Sequence, residues 1–196
     1  MTALSTPKYR LGDPTLPRSP LSLDDLAQLK ESLLFGDDDV AALRKAHDVV
    51  EDQVEAILDV WYGFVGSKPH LLAYFCDAQG QPIPAYLEAV RRRFGQWILD
   101  TCRARYDEAW LAWADEIGRR HHRSGKNRTD GVAAAPHIPM RFVLALVMPI
   151  SLTMKPFMAK KGHPPAEVEA MHQAWCKAVL LQAILWCRPY TRDGDF

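Results

Sequence analysis

The sequence predicts an all-α protein, and two observations support this fold class. Apolar residues recur at steps of three and four along several long segments, which is the spacing of one face of an α-helix. No segment shows the alternation of polar and apolar residues typical of a strand, and no strand–turn–strand signal occurs. The chain has 196 residues, enough for one domain with a substantial core. We expect an extended arm at residues 1–20 and a single domain at residues 21–196.

The first half of the chain contains the arm and the first predicted helices. Residues 1–20 hold four of the fourteen prolines, which disfavour a helix there. Ser22 can cap a helix that we expect to end at Gly36, because glycine is common just after a helix. Residues 37–66 carry apolar side chains at helical spacing and predict one long helix or two. A short helix is expected at residues 68–76, opened by the Lys-Pro-His sequence.

The second half of the chain follows a predicted turn at residues 77–84 and is helical almost throughout. The predicted helices lie at residues 85–102, 106–122, 138–162 and 164–187. Pro149 and Pro156 fall inside the third of these, so we expect that helix to be kinked. Helices of this length, joined by loops of mixed length, fit a globin-like arrangement and an irregular bundle equally well.

Composition excludes several classes of partner and location. The formal net charge is +0, so the chain carries no electrostatic footprint for nucleic acid or an anionic membrane. No signal peptide pattern occurs, and the apolar stretch at residues 142–150 is shorter than the ~20 residues that cross a bilayer. The cysteines form no C-x-x-C pair, and we expect free thiols in a reducing cytoplasm. The four are Cys76, Cys102, Cys176 and Cys187.

The doublet His121-His122 is the main candidate site. It lies at the end of the helix predicted at residues 106–122. The apolar stripe of that helix consists of Tyr106, Trp110, Trp113 and Ile117. His121 lies about 40° from Ile117 around the helix axis and continues the stripe, whereas His122 lies about 140° away. A histidine in this place can be a core residue bonded to a backbone carbonyl. His122 and the neighbouring arginines can be a cationic turn that complements the helix dipole.

An inward imidazole opposite a broad apolar surface also suits a haem iron, because a neutral ring nitrogen binds iron well. Trp61, Tyr62 and Phe94 are the candidates for the opposite wall of such a pocket, with Tyr62 as the hydrogen-bond donor to a bound diatomic gas. The alternative for these aromatic residues is an ordinary core, in which the tyrosine binds a backbone carbonyl. Ile117, one turn before His121, belongs to the same candidate pocket.

Four motifs, taken together and in order, resemble the protoglobins, which are single-domain relatives of the sensor domain in globin-coupled sensors. The resemblance extends from about residue 20 to the C-terminal PYTRDGDF sequence. It implies a globin fold with an extra N-terminal helix and an N-terminal arm, and haem b held by one proximal histidine. The four motifs span residues 51–75, 89–101, 116–132 and 154–175.

The resemblance also assigns roles to single residues. The first histidine of the family motif is the iron ligand and falls on His121, in agreement with the helix phase. Arg93 is a candidate partner for a haem propionate. The distal pocket positions of the family fall on Trp61, Tyr62, Phe94, Leu146 and Ile150. Protoglobins also cover the haem with the arm and loops, reach the iron through apolar tunnels, and form homodimers through their last two long helices.

This sequence departs from the family pattern in two places. Leu146 and Met148 stand where aromatic residues are common, so we expect a larger or differently gated distal cavity. Trp113 and Ala114 occupy a stretch that is more polar in relatives, which alters the proximal packing.

Four functions are compatible with the sequence. The first is reversible binding of oxygen, carbon monoxide or nitric oxide to a five-coordinate haem iron. The second is a haem enzyme that acts on nitric oxide, nitrite or peroxide, although no distal His–Arg pair of the peroxidase type occurs. The third is a gas sensor that signals through a separate partner protein. The last is a helical interaction module without a cofactor.

Overall fold

A computed structural model describes residues 8–192 and 194–196, so part of the expected arm, residues 1–7, lies outside the described residues. The described residues are helical and form no strand, apart from one isolated bridge between Cys76 and Pro82. Two short 3-10 helices occur at Ala73–Phe75 and Arg188–Tyr190. The α-helices are α1 (Leu23–Ser32), α2 (Asp37–Val50), α3 (Val54–Gly66), α4 (Pro69–Leu72), α5 (Pro84–Arg103), α6 (Glu108–His121), α7 (Met140–Ala145), α8 (Val147–Met158) and α9 (Pro165–Cys187).

The all-α prediction is confirmed, and the N-terminal cap of the first helix is as expected. The Ser22 side chain accepts a hydrogen bond from the Asp25 backbone N–H at 3.1 Å, and the Asp25 carboxylate accepts one from the Ser22 backbone at 2.8 Å. This reciprocal pair satisfies two amides that would otherwise have no partner in the first turn.

The predicted end of the first helix is wrong by several residues. α1 ends at Ser32, and Gly36 is instead the N-cap of α2, with the Asp39 carboxylate accepting from its backbone N–H at 2.9 Å. The chain leaves α1 through Leu34, whose φ of 53° is left-handed. The Phe35 N–H then bonds to the Lys30 carbonyl at 2.8 Å, which closes the helix end. A leucine in this conformation is uncommon, so the sequence does not reveal the stop.

The kink predicted in the apolar helix is confirmed, and it falls at the junction of α7 and α8. Pro149 has no backbone N–H and therefore cannot bond to the Ala145 carbonyl four residues earlier. α7 accordingly ends at Ala145, and Leu146 separates it from α8. The break places Leu146 and Ile150 on the side that faces the centre of the protein.

The core is built around α9, which packs against α2, α6 and α8. Trp175 and Ala178 are fully buried, as are α9 residues on several sides of the helix. All four cysteines are free, and three of them are buried, in agreement with the expectation. Because α9 contacts neighbours all around, its apolar residues form no single stripe.

The described part of the arm, residues 8–20, forms turns and no helix, and it packs on α6. The ring of Tyr9 meets that of Trp113 edge-on, with centroids 4.7 Å apart. Leu16 is buried beside the same tryptophan. The Lys8 carbonyl accepts a hydrogen bond from the Arg120 guanidinium at 3.1 Å. The arm is therefore attached to the helix that carries the histidine doublet.

The segment Met140–Met158 leaves much of its apolar surface exposed. By length and composition it could cross a membrane. Of the 18 residues that form its most apolar stretch, 22% are buried. The expectation that no apolar stretch reaches this length is therefore wrong, because the apolar character continues on both sides of residues 142–150. Large exposed apolar side chains at steps of four residues are Leu144, Met148 and Leu152.

Candidate functional site

A cavity of about 230 Å³ lies inside the helical bundle, with the end of α6 on one side. Helices α3, α5, α7, α8 and α9 also line it, together with the loop after α6, the arm, α4 and the 3-10 helix Ala73–Phe75. Every residue that the sequence placed at a cofactor site lines this cavity. These residues are Trp61, Tyr62, Arg93, Phe94, Ile117, His121, Leu146 and Ile150.

His121 is the last residue of α6 and the histidine that lines the cavity. Its Nδ1 lies 2.9 Å from the Ile117 carbonyl oxygen, so Nδ1 carries the proton and donates it to that carbonyl. Nε2 makes no hydrogen bond within residues 8–192. Burial lowers the pKa of His121 below its ordinary value of 6.5. The ring is therefore neutral at pH 7, with a lone pair available on Nε2.

Several contacts fix the position of His121. Its ring stacks on Trp186 of α9, with centroids 5.3 Å apart and planes 14° apart. Its backbone carbonyl accepts from the Ile138 N–H at 3.0 Å, and the Ile138 carbonyl accepts from the Tyr190 hydroxyl at 2.7 Å. One turn earlier, Gly118 lets α6 approach α9 so closely that a Cβ would lie 3.0 Å from the Trp186 backbone.

His122 does not line the cavity, and it ends the helix as its C-cap residue. Its ring packs against His137 and Tyr190, at centroid distances of 5.4 and 5.0 Å. Its Nδ1 lies 3.0 Å from the Ser124 hydroxyl. Burial lowers the pKa of His122, so this ring adds little charge to the basic turn that ends α6. The loop after α6 folds back over it, which helix periodicity does not report.

The wall opposite His121 is aromatic and aliphatic. The rings of Trp61 and Phe94 lie 5.7 Å apart, and Phe94 stacks on Trp97 at 5.1 Å. The Tyr62 hydroxyl makes no hydrogen bond with any described residue, so it does not bind a backbone carbonyl. Burial raises the pKa of Tyr62 above its ordinary value of 10.0, which keeps the hydroxyl protonated. Tyr62 therefore lines the cavity with a free donor.

Cationic side chains lie at one edge of the cavity, and two of them are paired. Arg93 binds Asp130 through two hydrogen bonds of 3.0 and 2.6 Å, and both side chains are largely buried. Arg120 binds Glu116 at 2.9 Å, and its guanidinium lies over the Trp113 ring, 4.8 Å from the centroid.

The third cation, Lys126, is a cavity residue that the sequence did not identify. It lies between the helices predicted at residues 106–122 and 138–162, yet it is only 5% exposed. Within the described chain no carboxylate lies within 4.0 Å of its Nζ. Burial lowers the pKa of Lys126 to about 8. A connector has no periodicity, so the sequence offers no signal for an inward lysine.

Sequence comparison identifies the family of this cavity-containing chain. The family described as Protoglobin matches residues 22–196. The chain belongs to the protoglobin family. Membership of this globin family implies a haem cofactor in general terms and a role in gas binding.

A solved structure agrees with the protoglobin assignment at the level of the fold. The globin domain of a Geobacter sulfurreducens globin-coupled sensor superposes with a TM-score of 0.66 at 15% sequence identity. The match covers 85% of this protoglobin and 97% of that domain. No curated protein matches the sequence. The globin fold is confirmed, whereas the extra N-terminal helix stays a prediction.

The cavity of this protoglobin has the chemical features that a haem requires. A neutral imidazole offers one nitrogen to a metal, because a backbone carbonyl occupies the other. Flat aromatic and aliphatic side chains form the walls, as an apolar macrocycle needs. Cationic side chains stand at one edge, where the carboxylates of a haem can be neutralised. The residues present therefore fit the cofactor.

Proposed function

We propose that this protoglobin holds haem b through His121 alone and reversibly binds oxygen, carbon monoxide or nitric oxide on the opposite face. The observation that carries the proposal is the arrangement of His121. Its Nδ1 donates to the Ile117 carbonyl, while Nε2 is free on the cavity side. When bound, the haem supplies an iron that takes one protein nitrogen and leaves a coordination position for a small ligand.

The residues around His121 prepare it as an iron ligand. The Ile117 carbonyl fixes the tautomer and increases the basicity of the ring. Trp186 stacks on the imidazole and restricts its rotation. The lowered pKa keeps Nε2 unprotonated at neutral pH, so proton competition for this nitrogen is weak.

The residues of the opposite wall favour a ligand-binding site over an acid–base site. Trp61, Phe94, Leu146 and Ile150 are apolar and exclude water. The Tyr62 hydroxyl can donate a hydrogen bond to a bound gas, and a polar bound oxygen gains most from it. His121 is the one histidine among the described residues that line the cavity. The Arg93 guanidinium is bound to the Asp130 carboxylate. Reversible binding is therefore favoured over peroxidase-type turnover.

The test is a comparison of the two adjacent histidines. Purified protein reconstituted with haem is examined by absorption spectroscopy in its ferric, ferrous and carbonmonoxy forms. His121→Ala should lose the five-coordinate ferrous spectrum and retain haem poorly. His122→Ala, the matched control, should keep both, because its ring faces His137 and Tyr190. Equal spectra for the two variants would contradict the assignment of the iron ligand.

We also propose that the protein forms a homodimer through the α7–α8 segment and α9. Support comes from apolar side chains that a second copy would cover: Leu152 is 59% exposed, Met148 62% and Leu180 37%.

Introducing a charge at the centre of such an interface is strongly unfavourable. Leu152→Glu should therefore shift the protein to a monomer in analytical ultracentrifugation. Leu23→Glu, at a 43% exposed residue in the first turn of α1, should leave the mass unchanged. A wild-type monomer at high concentration would refute the proposal.

A further inference from the structure

Lys126 is a buried cation whose hydrogen bonds go only to neutral groups. Its Nζ donates to the Tyr86 hydroxyl at 2.9 Å, to the Tyr74 carbonyl at 3.1 Å and to the Asn127 side-chain oxygen at 3.1 Å. These acceptors satisfy its three N–H groups, yet none of them carries a charge. Buried lysines are normally paired with a carboxylate, because an uncompensated charge in the interior is costly.

The carboxylate of Asp130 acts on Lys126 through its charge but makes no ion pair with it. Its two oxygens bind Arg93, at 3.0 and 2.6 Å, and the Lys8 ammonium lies 3.9 Å from one of them. Arg120 is neutralised by Glu116 in the same way. The polar edge of the cavity therefore has an excess of positive charge, and Lys126 is where that excess lies. Burial lowers the pKa of the Lys126 ammonium group, and the charge of Asp130 offsets this effect only in part.

Tyr86 offers the hydrogen bond that an incoming anion would use. Its hydroxyl oxygen accepts from Lys126, so the hydroxyl proton points elsewhere, and it has no acceptor among the described residues. The side chain is only 7% exposed and lines the cavity. Burial raises the pKa of Tyr86 to about 12, so the hydroxyl stays a donor at neutral pH. An oxygen anion next to Tyr86 would receive a hydrogen bond and face the charge of Lys126.

We infer that Lys126 and Tyr86 form a carboxylate-binding pair for a propionate of the haem. The inference rests on the proposed function, since it requires that the cavity accept haem. Lys126 supplies the charge and Tyr86 supplies the hydrogen bond, while Arg93 remains bound to Asp130. A charge-assisted hydrogen bond of this kind is stronger than one between neutral groups.

The experiment separates carboxylate binding from haem binding. Apoprotein is titrated with ferric protoporphyrin IX and with its dimethyl ester, whose propionates carry no charge. Binding is followed by quenching of tryptophan fluorescence and by the absorption of the bound porphyrin. The quantity compared is the ratio of the two dissociation constants for each variant. A general folding or packing defect changes both constants and largely cancels in the ratio.

We expect the wild-type protein to prefer the free acid over the ester. Lys126→Met should reduce that preference by about tenfold or more, as expected for loss of a hydrogen-bonded charge partner. Tyr86→Phe keeps the ring and should reduce it by a smaller factor. Lys160→Met removes an exposed lysine outside the cavity and should retain the wild-type ratio.

The outcomes distinguish two failures. If neither porphyrin binds the wild-type protein, the proposed function and this inference are both wrong. If both porphyrins bind and Lys126→Met keeps the wild-type ratio, haem binding stands and the assignment of Lys126 is overturned. Equal ratios for Tyr86→Phe and wild type would remove Tyr86 from the pair.

Discussion

The two walls of the cavity differ in how firmly their key side chains are held. On the proximal wall, formed by the end of α6 and by α9, His121 is fixed by a hydrogen bond to Ile117 and by stacking on Trp186. On the distal wall, formed by α3, α5 and the α7–α8 junction, the Tyr62 hydroxyl has no partner among the described residues. Trp61, Phe94, Leu146 and Ile150 on the same wall make apolar contacts.

This difference indicates which changes the site can tolerate. An iron ligand must present one nitrogen in one orientation, and a set of mutually dependent contacts provides this on the proximal wall. The distal wall must admit ligands, so its residues can vary in size with graded effects. We therefore expect proximal substitutions to act on assembly and stability, and distal substitutions to act on ligand rates.

Gly118→Ala should produce the largest effect, because it disturbs the contact between α6 and α9. The added Cβ would lie 3.0 Å from both the Cα and the carbonyl oxygen of Trp186, and this backbone cannot move aside cheaply. We expect the free energy of unfolding in urea to fall by about 1–3 kcal/mol, as for other overpacked sites.

The control for Gly118→Ala is Gly63→Ala in α3. Gly63 is also helical, but nothing lies within 4 Å of a Cβ added there. Replacing an exposed helical glycine by alanine stabilises a protein by roughly 0.5–1 kcal/mol. The two substitutions should therefore shift stability in opposite directions, and a shift of the same sign would show that the α6–α9 contact is not tight.

Tyr62→Phe should have an intermediate effect that is confined to the bound ligand. A single hydrogen bond contributes about 0.5–1.5 kcal/mol, so oxygen dissociation should accelerate by about three- to tenfold. Carbon monoxide, a poorer acceptor, should dissociate at nearly the wild-type rate. Stopped-flow measurement of both rates provides the test, and an equal acceleration for the two gases would point to a packing defect instead.

The raised pKa of Tyr62 predicts how the oxygen dissociation rate responds to pH. Burial raises this pKa above 10.0, so the hydroxyl remains a donor at neutral and mildly alkaline pH. The oxygen dissociation rate should therefore stay flat over that range as far as Tyr62 is concerned. The raised pKa would be contradicted if the oxygen dissociation rate increased as the pH approached 9 and the Tyr62→Phe variant showed no such increase.

Leu146→Phe should have the smallest effect. A ring at this position fills part of the distal cavity and should slow carbon monoxide association a few-fold, measured by flash photolysis. Val60→Phe is the control, since this residue of α3 is 51% exposed and does not line the cavity. If both variants change association equally, Leu146 does not gate the cavity.

Local periodicity was sufficient to predict the parts of this protein that depend on a single helix. The rotation of about 100° per residue separates His121 from His122, and the structure places only His121 at the cavity. The missing N–H of Pro149 likewise predicts the break at Leu146. In both cases the deciding interaction spans no more than four residues.

Other parts of the site depend on contacts that no local pattern reports. Lys126 lies in a connector without periodicity, and its burial results from Tyr74 and Tyr86, which are 52 and 40 residues away. Trp186 belongs to a helix that is buried on several sides, so no stripe indicates which of its residues faces His121. The left-handed Leu34 hides the end of α1 for a different reason, since a glycine is the usual signal there.

The packing of the arm on α6 also affects the order in which the protein is assembled during translation. Lys8 and Arg120, which join the two, are 112 residues apart, and Tyr9 lines the cavity. The ribosome therefore releases the arm long before it has made the surface on which the arm rests. The edge of the cavity beside Tyr9 can therefore close only after the chain as far as α6 has been made.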